Sequence, residues 1–103
     1  MAFRLGDIIE KTESGVLRGI QREIACECWF TSKGKTMPKL IKIMDDEGIL
    51  HTVRDIRLLA TEEKCYSGIQ TIEHLCRIPI GDRMETVKLI FTKENCTWTI
   101  VEI

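Results

Sequence analysis

The stretch Ile69–Ile103, IQTIEHLCRIPIGDRMETVKLIFTKENCTWTIVEI, decides the fold. Val87, Leu89 and Phe91 alternate with Lys88, Ile90 and Thr92, and Cys96, Trp98 and Ile100 alternate with Thr97, Thr99 and Val101. Both runs have the period of two that marks half-buried strands. A four-residue loop, Thr92 to Asn95, sets Phe91 opposite Cys96, Leu89 opposite Trp98 and Val87 opposite Ile100, so that six apolar side chains share one face. A three-residue loop would bring Lys88 opposite Ile100, and an ammonium group buried without a partner costs several kcal/mol. The four-residue loop is therefore expected, with Trp98 in the core.

The preceding strand registers in the same way. Gly81 and Asp82 form a two-residue hairpin turn in which glycine supplies a positive φ without a Cβ clash. Cys76 then faces Val87, His74 faces Leu89 and Ile72 faces Phe91. Pro79 falls on the opposite face near the strand end, and together with the β-branched content it rules out a helix over 69–80.

Working outward, Pro38–Met44 and Ile49–Val53 read as another hairpin. With Asp46, Glu47 and Gly48 as its loop, Ile41 faces Val53 and Ile43 faces His51. Ile24–Thr31 is predicted as a strand ending in the polar loop Ser32–Thr36. Arg54–Ala60 is expected to continue the second hairpin with a bulge or bend at Asp55. Thr61 is expected to cap a helical turn over Glu62–Tyr66, ended by Gly68. Asp7 with Glu10 has the form of a capping box, which predicts a short helix over 7–13 reaching at most 21. The expected fold is mainly β, an antiparallel meander or small partly closed β-barrel of about six strands with a short N-terminal helix. It forms one domain, 1–103, divided into an N-terminal helical segment (1–23) and a β core (24–103).

A chain of 103 residues buries roughly two-thirds of its unfolded surface and needs neither metal nor disulfide to hold a core. Hydrophobic residues at 44% and charged residues at 30% are globular values and argue against disorder. No apolar run approaches the length of a membrane-crossing helix and no leader pattern is present, so a cytoplasmic protein without membrane contact is expected. The five cysteines, odd in number and irregularly spaced, read as free thiols. Net charge is −1, which gives no field to steer the whole molecule toward nucleic acid.

The residues Trp29, Phe30, Thr31, Gly34, Pro38, Ile41, Lys42, Asp45, Gly48, His51, Thr52, Asp55, Ile56, Tyr66, Gly68, Ile69, Cys76, Leu89, Ile90, Phe91, Glu94, Cys96 and Trp98 together resemble a family of short uncharacterised proteins of Gram-positive bacteria. Its genes often lie near conjugative mobile elements. The resemblance covers residues 28–98 and implies a shared fold, with no activity and no catalytic residue to carry over.

Three constellations bear on function. Cys26 and Cys28, at i and i+2 on one strand, and His74 and Cys76 on another form a quartet that zinc could use. Both pairs lie in apolar alternations, however, and free cysteine is among the most buried residues, so structural thiols and no cofactor are expected. His51 and His74 have no serine, cysteine or acid beside them in a nucleophile pattern, and no phosphate-binding loop occurs, so no enzyme is expected. The segment Trp29–Lys42 holds Trp29, Phe30, Lys33, Lys35, Lys39 and Lys42 without an acid. Trp29, Lys33, Lys35, Lys39 and Lys42 are therefore the candidate partner-binding residues of an accessory module acting through protein–protein contacts. Single-stranded nucleic acid is the alternative ligand of the same stretch. Weighed against both is a plainer reading in which an aromatic packs in the core, the acids between Asp45 and Glu63 neutralise the lysines, and alternation sends Lys39 and Lys42 to opposite faces.

Overall fold

A computed structural model describes residues 22–103, so the helix expected over 7–13 lies outside the described residues. Within them lie seven strands: β1 (Arg22–Phe30), β2 (Thr36–Met44), β3 (Leu50–Val53), β4 (Arg57–Tyr66), β5 (Ile69–Ile80), β6 (Arg83–Thr92) and β7 (Thr97–Glu102). They form one antiparallel sheet in the order β3-β2-β1-β7-β6-β5-β4. β3 and β4 follow each other in the chain yet occupy opposite ends of that order, with only Arg54, Asp55 and Ile56 between them. Four Cα–Cα steps span at most about 14 Å. The sheet must therefore curl until its two ends meet, and the result is a half-barrel with its core on the concave side.

The alternation seen in the sequence supplies that core. Ile72, His74, Cys76, Ile78 and Ile80 of β5, Val87, Leu89 and Phe91 of β6, and Trp98 and Ile100 of β7 are buried on one face, joined by Ile41, Ile43 and Val53. The β5–β6 register is the one expected, with Ile72 opposite Phe91, His74 opposite Leu89 and Cys76 opposite Val87. The β2–β3 hairpin also agrees, with Ile41 opposite Val53 and Ile43 opposite His51. At β1 the strand begins two residues earlier than the expected boundary at 24.

The β6–β7 hairpin corrects the expected register. Its four-residue turn is Lys93–Cys96 rather than Thr92–Asn95, so Phe91 faces Trp98, Leu89 faces Ile100 and Val87 faces Glu102. A shift of two residues leaves every side chain on its face. What changes is the pairing: Phe91 and Trp98 pack as a tilted pair with ring centroids 5.1 Å apart and planes 41° from parallel, and Thr92 and Thr97 join the ladder. An aromatic cross-strand pair adds about 0.5–1.5 kcal/mol beyond burial, which favours this register. Cys96 leaves the strand for the turn, exposed and with φ at 55°.

The helical turn expected over Glu62–Tyr66 is likewise replaced by strand. Ser67 and Gly68 have φ of 51° and 85°, the left-handed pair of a two-residue hairpin turn, and they pair β4 with β5 from Tyr66–Ile69 to Arg57–Arg77. Long-range pairing outweighs the weak local helix preference of Glu62–Cys65. The bend at Asp55 is present, with φ at 59°, but the chain beyond it does not continue the β2–β3 hairpin as expected for Arg54–Ala60: β4 begins at Arg57 and pairs with β5.

Trp98 is 8% exposed and touches the rings of both Phe91 and His74. Trp98→Ala should cost about 3–5 kcal/mol, as large aromatic truncations in cores do. Denaturant unfolding measures it, and a loss below about 1 kcal/mol would remove Trp98 from the core.

Candidate functional site

At the end of β1, alternation divides two aromatics between the faces of the sheet. Trp29, opposite Met37, points to the convex side, and Phe30, opposite Thr36, points to the concave side. Neither is covered: Trp29 is 60% and Phe30 63% exposed. Phe30 still meets Phe91 edge to face at 5.9 Å. Neither aromatic supplies the fully buried core anchor that the plainer reading of this stretch requires.

The lysines are placed by an irregularity. Glu27 pairs with Leu40 and Cys28 with Pro38, which leaves Lys39 as an extra residue on β2. Such a bulge shifts the alternation by one. Pro38 and Ile41, three residues apart, are both buried, and Lys39 and Lys42 both emerge on the convex face. The expectation of opposite faces is corrected by this bulge. The Lys39 ammonium sits over the Trp29 ring, 4.6 Å from its centroid, a cation–π contact worth about 0.5–1 kcal/mol at an exposed site. Met37, Leu40, Met44 and Leu50 share that face, the last two largely exposed.

Lys33 and Lys35 lie in the β1–β2 turn. It is closed by Thr31 N–H to Lys35 C=O (2.8 Å), Gly34 N–H to Thr31 C=O (2.9 Å) and Lys35 N–H to Thr31 Oγ1 (3.1 Å), with Gly34 at φ 79°. Lys35 lines a cavity of about 580 Å³ in the gap between β2 and β4, together with Gly34, Thr36, Met37, Leu58, Thr61, Glu63 and Ile72. The structure thus brings Trp29, Lys39 and Lys42 to the convex face and leaves Lys33 and Lys35 in the turn beyond it. Met37, Leu40, Leu58 and Thr61 were not singled out from the sequence. Pro38 was the available signal, since proline within a strand marks an edge or a bulge.

The acidic segment does not neutralise these lysines. Asp45 bonds His51 Nε2 at 2.8 Å, Asp46 pairs with Arg22 at 3.0 Å, Glu62 approaches Lys64 at 3.7 Å and Glu63 pairs with Lys93 at 3.2 Å. Among the described residues, no carboxylate lies within 4.0 Å of Lys33, Lys35, Lys39 or Lys42. The bond from His51 holds the Asp45 carboxyl below its usual range against desolvation, aided by the N–H groups of Ile49 and Glu47. This cluster organises the β2–β3 turn.

His74 is fully buried and both its nitrogens are engaged. Nδ1 lies 2.9 Å from Leu89 C=O, a group that can only accept, so Nδ1 carries the proton and Nε2 accepts from the Thr36 hydroxyl. Burial pushes the imidazole below its ordinary value of 6.5, and the Leu89 bond offsets only part of that. Burial also pushes the thiols of Cys26 and Cys76 up to about 12. The Thr36 hydroxyl occupies the lone pair of His74 Nε2, and among the described residues no group of three or more His, Cys, Asp or Glu is arranged to hold a metal.

No family model matches this chain, and no curated protein or solved structure matches it. Among the described residues no helix is long and apolar enough to cross a membrane.

Two predictions follow from the buried groups. The unfolded His74 binds a proton near pH 6.5 while the folded one does not, so the stability it carries is complete above about pH 7 and declines as pH falls through 6.5 toward the lowered folded value. Melting temperature followed from pH 8 to 5 should show that decline in the parent and a flatter profile in His74→Gln. Dialysis against chelator should leave the thermal midpoint unchanged, because a structural metal would contribute folding free energy directly. Stoichiometric zinc with unfolding on chelation would reverse the assignment of structural thiols.

Proposed function

We propose that this chain is a small non-enzymatic binding module that acts through protein–protein contacts on the convex face of β1 and β2. The observation that carries the reading is Trp29, 60% exposed with the Lys39 ammonium held over its ring. A large aromatic left in water beside Met37, Leu40, Met44 and Leu50 has the make-up of an interface centre, and Lys39 and Lys42 provide a charged rim with no carboxylate partner among the described residues. A partner with an acidic surface around an apolar patch fits it. The resemblance over residues 28–98 to short uncharacterised proteins of Gram-positive bacteria, whose genes often lie near conjugative mobile elements, is consistent with an accessory role and brings no activity of its own.

Single-stranded nucleic acid is a second reading, favoured by Lys33, Lys35, Lys39 and Lys42, which pair with no carboxylate among the described residues, and by the exposed Phe30. It ranks lower for two reasons. Lys39 occupies the Trp29 face on which a base would stack, and Lys33 and Lys35 lie in the β1–β2 turn rather than beside the strand lysines.

Affinity capture from the organism that encodes the chain, repeated with Trp29→Ala, tests the first reading. The captured partner should bind the variant at least about thirtyfold more weakly, the loss of a hot-spot residue, with the melting temperature unchanged. Equal binding by the variant would remove this surface. Random single-stranded oligonucleotides bound at micromolar affinity, weakening steeply between about 50 and 200 mM salt, would favour the second reading instead.

A further inference from the structure

The convex side of β1 and β2 carries its charges in two stripes. Ile24, Cys26 and Cys28 of β1 pack against the core, so alternation sends Glu23, Ala25, Glu27 and Trp29 to the other face, where all four are exposed. On the neighbouring strand, Lys42 lies opposite Ala25 and Leu40 opposite Glu27, and the contact with the Trp29 ring fixes Lys39 on the same face. Acids thus line β1 and lysines line β2. Neither stripe neutralises the other: among the described residues no cation lies within 4.0 Å of Glu23 or Glu27, and no carboxylate within 4.0 Å of Lys39 or Lys42.

Such a face is complementary to itself. A two-fold axis parallel to the strands, running between β1 and β2, lays each β1 over β2 of a second copy. Residues level in the ladder then meet across the contact. Lys42 lies over Ala25 of the second copy, midway between its Glu23 and Glu27, and Glu27 lies over Leu40, between Lys39 and Lys42. Trp29 lies over Met37 of the second copy. A two-fold axis perpendicular to the strands would instead set β1 on β1 and β2 on β2, acid against acid and lysine against lysine, which opposes association. Charge therefore selects the first arrangement.

We propose that the convex face of β1 and β2 is the interface of a homodimer, in which the second copy supplies the acidic surface around an apolar patch. The inference rests on the convex-face reading above and names its occupant. Trp29 and Met37 of each copy form the apolar centre, with the thioether against the edge of the indole that Lys39 leaves open. Glu27 with Lys39 and Lys42 of the other copy forms the charged rim, once on each side of the axis. Two convex half-barrels touch along a narrow stripe. Two strands of nine residues offer about 10 Å by 30 Å of face, roughly 300 Å² per copy. A standard interface buries about 800 Å² per partner, so the dimer belongs to the weak, reversible class, with a micromolar dissociation constant.

Sedimentation velocity of the full chain between about 5 and 500 µM should show a reversible shift from one chain to two. Glu27→Lys sets a lysine against Lys39 and Lys42 of the other copy, and Lys42→Glu sets a glutamate against its Glu23 and Glu27. Each variant alone should weaken the dimer at least about tenfold with the melting temperature unchanged. An equimolar mixture of the two should dimerise at the parent's strength, because the introduced lysine of one meets the introduced glutamate of the other while the second contact keeps its original charges. A single chain up to about 500 µM, variants that self-associate as the parent does, or a mixture that stays monomeric overturns the homodimer. A different protein captured through Trp29 by a chain that stays monomeric overturns the homodimer alone and leaves the convex-face reading standing.

Discussion

Three residues between Val53 and Arg57 constrain the whole sheet. Because so short a connection joins its two ends, the seven strands cannot lie flat, and the curl gathers the alternating apolar residues onto one concave surface. Asp55 turns the chain with a positive φ, a conformation that aspartate tolerates better than most residues. β3 and β4 then run almost end to end, one paired to β2 and the other to β5. The half-barrel is joined where they meet and open above, where β2 and β4 face each other unpaired.

The opening and the convex surface share a cause in β2. The bulge at Lys39 shifts the alternation so that Pro38 turns inward with Ile41, and both strand lysines turn outward to the side of Trp29. Pro38 also removes a donor from the edge that faces β4. One irregularity of a single residue thus separates the apolar interior from a basic, aromatic exterior and leaves the neighbouring edge incomplete.

His74 shows how the interior tolerates a polar side chain. An unsatisfied imidazole in this core would cost a kcal/mol or more, about 1–3 for a buried group left unpaired. The two bonds to Leu89 C=O and the Thr36 hydroxyl avoid that cost and tie β5 to β2 across the concave side, beneath the opening. Glu73 is the counterpart on the convex face. Burial raises its carboxyl, but Lys88 at 3.1 Å and Lys64 at 3.3 Å outweigh it and hold the group ionised.

Local signals were legible in the sequence. Gly81–Asp82 and the Asp46–Gly48 loop fixed two hairpin registers residue by residue, and period-two alternation assigned Ile72, His74, Cys76, Val87, Leu89, Trp98 and Ile100 to one face. The same alternation determined the face but not the partner of Trp98, since a slip of two residues preserves the pattern and only the packing of Phe91 against Trp98 selects between registers. Glu62–Tyr66 became strand because β5 lay alongside it, and Lys39 joined Lys42 on the convex face because β1 took one residue fewer than β2 offered. The sequence by itself determined the β2–β3 and β5–β6 hairpins with their turns and the buried face of β5, β6 and β7, for these follow from residues close in the chain. The tertiary structure alone decided the bulge, the exposure of Trp29 and Phe30 and the gap between β2 and β4, because each depends on which distant strand lies alongside and where the curled sheet runs out of partners.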